Sequence, residues 1–252
     1  MSIFLLSGGG VLAGFINALA GGAGFLLFPL MIGSGGMSPM AADASLFIAL
    51  FPANVVGVLA ARRDIDVATA GIPRRLVIGG IGGLIGSYLL IHFGVDAFNR
   101  AVPWLLLTAT LLFGLAPLMR HALMRGFGQN GAHQHPAVLA TVEFLLCTYG
   151  GYFGLGMGIV LLAAYSIFGD LGLRRANAIK NLLIAANTVA GIVVYTVAGA
   201  IQWRSALIVM AGTTVGGYFS VKLSHLVSPT LLRWVMLTWA ILLTGYAFLY
   251  PQ

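Results

Sequence analysis

Residues 150–158 read Gly150-Gly151-Tyr152-Phe153-Gly154-Leu155-Gly156-Met157-Gly158, with apolar sequence on both sides. Each glycine inside a helix costs about 1 kcal/mol relative to alanine, so such a cluster favours a break. A second stretch, Ala20-Gly21-Gly22-Ala23-Gly24, interrupts the first apolar run of the chain in the same way. Two breaks of one kind, one near the start of a long apolar chain and one just past its middle, predict two halves built on one plan.

Moving outward from the breaks, further pairs appear in the same order at nearly constant offset. Gly22-Ala23-Gly24-Phe25-Leu26-Leu27 stands against Gly156-Met157-Gly158-Ile159-Val160-Leu161, and Ile85-Gly86-Ser87-Tyr88-Leu89 against Val215-Gly216-Gly217-Tyr218-Phe219. Ala53-Asn54 pairs with Ala186-Asn187, Ile65-Asp66-Val67 with Ile201-Gln202-Trp203, and Arg100-Ala101-Val102 with Arg233-Trp234-Val235. One match in so biased a composition means little, but an ordered series predicts an internal repeat. The long polar interval Arg120 to Pro136 reads as an exposed linker, which gives a first repeat over 1–120, a linker over 121–136 and a second repeat over 137–252.

Composition sets the solvent. The 252 residues are 60% hydrophobic and 8% charged, with a mean hydropathy of +1.00, against about 25% charged residues in soluble domains. Apolar segments fall at roughly 3–19, 24–33, 42–61, 76–93, 98–118, 137–149, 157–168, 176–199, 205–224 and 229–249. A helix crosses the hydrocarbon layer in about 20 residues, so the chain reads as an all-α, multi-pass protein of a cell membrane. Thirty-five glycines without a three-residue period suit close helix contact and broken helices. The net charge of +7 comes from cations placed singly or in pairs between apolar segments, which points to membrane orientation rather than nucleic acid. Met1-Ser2-Ile3-Phe4 runs into apolar sequence without a basic region, so the N-terminus reads as mature.

The cations also choose a topology. Should each glycine-broken stretch cross the membrane, with the 62–75 loop cytoplasmic, Arg174, Arg175, Lys222 and Arg233 fall outside with Arg100. Should each be re-entrant, Arg62, Arg63, Arg74, Arg75, Arg120, Arg125, Arg174, Arg175, Lys222 and Arg233 lie near the cytoplasmic side, leaving Arg100 and Arg204 outside. The positive-inside bias favours the second arrangement. The expected fold is therefore two inverted structural repeats, each a Gly-rich broken or re-entrant helix pair followed by three transmembrane helices. Two kinked spans in a parallel repeat are the competing arrangement.

The chain resembles the TauE/SafE sulfite-exporter family. The first half carries Gly14-Phe15, Gly21-Gly22-Ala23-Gly24, Pro29, Gly36-Met37-Ser38-Pro39, Ala42, Ser45-Leu46 and Ile65-Asp66; the second carries Gly154, Gly156, Gly158, Arg175-Ala176-Asn177-Ala178, Asn181 and Ile201-Gln202-Trp203. Ala23 and Met157 stand where the family's fuller clusters have glycine, and Ala163 lies opposite Pro29. The resemblance implies export or exchange of small sulfur-containing anions, such as sulfite or organosulfonates, coupled to an ion gradient. Some relatives take up thiosulfate through cysteine chemistry, for which this chain offers Cys147 alone.

Candidate binding residues gather around the breaks. A broken helix leaves N–H groups unpaired in hydrocarbon, glycine lets backbone approach a ligand, and the positive end of a half-helix attracts an anion. Gly21, Gly22 and Gly24 with Gly154, Gly156 and Gly158 are thus expected to cradle an oxyanion, where a purely structural reading has them allow tight packing. Lys180 stands a turn inside its apolar segment with Asn177 and Asn181 on a shared face, either beside the anion or snorkelling to the interface. Asn17, before the first break, and Ser45 and Asn54 in the first half complete the substrate-binding set. Asp43 either caps a helix or carries a proton. Glu143, the sole glutamate, either couples a proton or pairs with a neighbouring helix. Gly79, Gly80, Gly82, Gly83, Gly86, Gly212, Gly216 and Gly217 are expected to serve helix packing.

Other classes lack their signatures. There is no G-x-S-x-G elbow, no H-E-x-x-H pair and no acidic cluster, and one cysteine builds neither a disulfide nor a metal site. The expectation is a non-enzymatic transporter working by alternating access, without cofactor or metal, whose partners are a small anion and the lipid bilayer. A homodimer stays open, as do an anion channel and an uptake carrier for another small anion.

Overall fold

The computed structural model describes residues 3–19, 22–62, 71–126, 136–168, 173–223 and 229–249. Among them the structure is helical throughout: α1 (Ile3–Leu19), α2 (Gly24–Gly35), α3 (Pro39–Ala61), α4 (Ile72–Gly126), α5 (Pro136–Tyr152), α6 (Met157–Phe168), α7 (Leu173–Val197), α8 (Trp203–Leu223) and α9 (Pro229–Leu249). Local chemistry explains several ends. Gly36 closes α2 in the left-handed region at φ 63°, and the Ser38 hydroxyl accepts the Ala41 N–H at 3.3 Å to open α3, with Pro39 in its first turn. Gly94, at φ 75° and ψ −178°, divides α4 into two arms. The helix continues to Gly126, past the start of the interval read as linker; 127–135 lie outside the described residues.

The surface is inside out by the standard of a soluble protein. Phe4, Trp104, Val197 and Leu249 are 88%, 63%, 86% and 76% exposed, while Asp43, Ser45, Glu143 and Asn187 are buried. Hydrocarbon outside and paired polar groups inside satisfy both conditions at once. The stretches Pro39–Leu59, Ile72–Leu115 and Arg175–Val197 are long and apolar enough to cross a membrane.

The packing comes in matching pairs: α1 lies along α8, α5 along α4, and α3 along α7 between them. Glycine permits the first two contacts. A Cβ on Gly212 would sit 2.6 Å from the Ser7 carbonyl oxygen, and one on Gly82 would sit 2.6 Å from Cys147 Cβ. Gly79, Gly83, Gly86 and Gly216 are likewise closed in by a neighbouring backbone, as small-residue helix contacts require. Gly80 and Gly217 correct the expectation, since a Cβ on either would meet nothing within 4 Å. Gly217 is buried and borders an internal cavity instead.

Candidate functional site

Both breaks turn on one glycine in the left-handed region, Gly22 at φ 82° and Gly156 at φ 81°, a conformation that side chains resist. The helix beyond each starts in the same register. Phe25 N–H donates to the Gly22 carbonyl at 3.0 Å, and Ile159 N–H donates to the Gly156 carbonyl at 3.0 Å. The N–H groups of Ala23 and Gly24, and those of Met157 and Gly158, consequently have no hydrogen-bond partner among the described residues. They form the positive ends of α2 and α6. The breaks touch each other: a Cβ on Gly24 would lie 3.1 Å from Leu155 Cγ, and one on Gly156 would lie 3.7 Å from Phe25 Cε2.

A cavity of about 340 Å³ lies between the breaks, α3 and α7, reaching Ala61 near the Arg62 end of α3 and Asn177 near the Arg175 end of α7. At about 30 Å³ per water molecule, it holds a small oxyanion together with water. Gly22, Gly24, Gly154, Gly156 and Gly158 line it, as does Asn17. Asn54, Asn177, Lys180 and Asn181 supply its polar wall. Asn54 Nδ2 donates to Thr188 Oγ1 at 3.1 Å, and Asn181 Nδ2 donates to the Gly57 carbonyl at 3.0 Å, so these two amides bridge α3 and α7 while facing the same space. Each keeps a second N–H. Lys180 is the cation of the lining, and among the described residues no carboxylate pairs with it. Its aliphatic stem passes Gly158, where a Cβ would lie 3.5 Å from Lys180 Cδ.

The remaining expected residues lie elsewhere. Gly21 falls outside the described residues. Ser45 is fully buried off the cavity lining, and its hydroxyl accepts the Gln202 N–H at 3.0 Å, anchoring the start of α8 to α3. Glu143 is ion-paired with Arg75 of α4 and accepts the Tyr165 hydroxyl at 2.8 Å, so one carboxylate ties α4, α5 and α6 together. Asp43 is fully buried beside the second break, where its Oδ1 accepts the Gly154 N–H at 3.4 Å. Cys147 is buried, and its carbonyl accepts Asn187 Nδ2 at 2.6 Å.

Sequence reasoning did not find Arg75, Tyr165 or Thr188. In the sequence Arg75 is one of a row of cations that speak only to membrane orientation, and an aromatic or threonine inside an apolar helix carries no local signal of its partner. No metal-ligating cluster of three or more His, Cys, Asp or Glu exists among the described residues.

The family model described as Sulfite exporter TauE/SafE matches residues 6–247. A protein of Haemophilus influenzae named "Probable membrane transporter protein" is 25% identical over 240 residues, covering 94% of this chain and 90% of its own. One from Sinorhizobium sp, "Probable membrane transporter protein ORF9", is 26% identical over 226 residues, covering 87% and 84%. The "Probable membrane transporter protein YfcA" of Escherichia coli K12 is 23% identical over 219 residues, covering 84% and 77%. No solved structure matches the chain.

Proposed function

The chain belongs to the Sulfite exporter TauE/SafE family, and on that footing we propose that it is a secondary transporter, working as an exporter, of small sulfur-containing anions such as sulfite or organosulfonates. The observation that carries the reading is one cavity lined by both helix breaks, by Lys180 and by five asparagines, Asn17, Asn54, Asn177, Asn181 and Asn187. N–H groups without a partner among the described residues at two helix starts, together with one ammonium, supply donors and positive charge, and the carboxylate nearest the breaks, Asp43, stands off the cavity lining. That combination suits an anion with several acceptor oxygens better than a cation or an apolar solute.

The same geometry supports alternating access. The cavity reaches the helix ends next to Arg62 and Arg175, which the positive-inside bias puts on the cytoplasmic side. At 12 residues, about 18 Å, neither α2 nor α6 crosses a 30 Å hydrocarbon layer. This supports two inverted repeats with re-entrant broken helices, an arrangement that rocks about a fixed central site. The chemistry asked of the protein is binding and release, which is transport rather than catalysis.

The test is flux of sulfite and of methanesulfonate into proteoliposomes of purified protein, with and without an imposed pH gradient. Saturable flux that the gradient alters supports a coupled transporter. Flux that rises linearly with concentration identifies a channel instead. Absence of flux for both anions, with the protein folded, removes the sulfur-anion assignment.

A further inference from the structure

Asp43 occupies a position that the binding of an anion has to contend with. Its carboxylate is fully buried on α3. One oxygen, Oδ1, accepts the N–H of Gly154, a residue of the second break that lines the cavity. The other, Oδ2, is buried without a hydrogen-bond partner among the described residues. A carboxylate in such a place is stable in one of two ways, charged with enough donors around it or neutral with a proton on it.

The surroundings limit the first way. The titratable groups that face Asp43 are the phenols of Tyr149 and Tyr152 on α5 and of Tyr195 on α7. Two of these hydroxyls are already committed to the backbone of the break, Tyr149 to the Leu155 carbonyl at 3.1 Å and Tyr195 to the Gly151 carbonyl at 2.5 Å. No cation pairs with Asp43 among the described residues, and Lys180 stands on the cavity wall. The one donor that reaches Asp43 among the described residues is the Gly154 N–H. Gly154 also lines the cavity, so an incoming oxyanion competes for that N–H.

We propose that Asp43 is a resident anion of the second break, and that the transported anion takes its place on the break only when Asp43 takes up a proton. The proposal rests on the reading of the cavity as an anion site and adds the coupling device to it. The step balances: a proton from the water that reaches the cavity forms an O–H bond on the Asp43 carboxylate, the Gly154 N–H is released, and a monovalent anion enters. The site carries one negative charge before and after, so loading places no extra charge in a low-dielectric interior. Anion and proton are then bound together and move in the same direction. Of the two carboxylates expected to couple transport to protons, Asp43 touches the break, whereas Glu143 is already held by Arg75.

Calorimetry on the full chain in nanodiscs tests this, with methanesulfonate as the probe because its sulfonate does not titrate near neutral pH. Titrations in buffers of different ionisation heat give the protons taken up per anion bound. At alkaline pH, where the empty site holds Asp43 charged, uptake of about one proton is expected, together with a tenfold weaker affinity for each further pH unit of increase, as linkage requires. The Asp43→Asn variant is expected to bind methanesulfonate with no proton uptake and no pH dependence. Binding by the unaltered protein without proton uptake overturns the proposal while leaving the anion site intact, and it does so even if the variant fails to fold. Undiminished uptake in a folded Asp43→Asn protein overturns it equally. Absence of binding at every pH overturns the anion site and the coupling with it.

Discussion

Lys180 and Glu143 are both charged residues inside the apolar body, and their surroundings give them opposite prospects. Lys180 lines the cavity with no carboxylate paired to it among the described residues. A hydrogen bond to a charged group is worth about 1.5–3 kcal/mol, so Lys180→Ala is expected to weaken methanesulfonate or sulfite binding roughly ten- to hundredfold with an unchanged melting temperature. Unchanged affinity in a folded variant would assign Lys180 to the interface. Glu143, by contrast, is tied to Arg75 and Tyr165. Removing one partner of a buried pair costs about 3–5 kcal/mol, whereas replacing both with apolar residues is often neutral. Thermal unfolding should therefore show a large loss for Glu143→Ala and substantial recovery in the Arg75→Met, Glu143→Leu double variant. The presence of both charges was legible in the sequence. Which one faces a cavity and which one a counter-charge was not, because that depends on helices remote in the chain.

At the scale of the element, glycine has three separate jobs. Gly22 and Gly156 hold positive φ at the breaks, Gly86 and Gly216 admit a neighbouring backbone, and Gly217 borders the cavity, while Gly80 faces open space. A side chain on Gly86 would meet the Thr148 carbonyl, so Gly86→Leu is expected to separate α4 from α5 and reduce the monodisperse fraction on size-exclusion chromatography. Gly80→Ala should elute normally and gain up to about 1 kcal/mol of helix propensity. The order of the glycines announced the breaks. Their packing jobs were not separable by spacing alone, since neighbours such as Gly79 and Gly80 differ only in which side of the helix meets another chain segment.

At the scale of the whole molecule, the inverted arrangement puts Arg62 and Gln202 on opposite sides of the membrane, and the parallel arrangement puts them on the same side. Both side chains are exposed and Cys147 is buried, so single Arg62→Cys and Gln202→Cys variants can be read with a membrane-impermeant maleimide. Labelling of Gln202→Cys in intact cells, with Arg62→Cys labelled only after permeabilisation, is the expected pattern; labelling of both from one side would sink the inverted reading. The sequence by itself determined that this is a helical membrane protein of the TauE/SafE family with two broken segments, because hydropathy, glycine clustering and the order of motifs are properties of the chain in one dimension. Only the tertiary structure decided that both breaks, Lys180 and the asparagines share one cavity, that Ser45 anchors a helix, and that Asp43 rather than Glu143 meets the break. Those facts are distances between helices far apart in sequence, set by which glycine faces allow two backbones to approach, and no local pattern of residues encodes them.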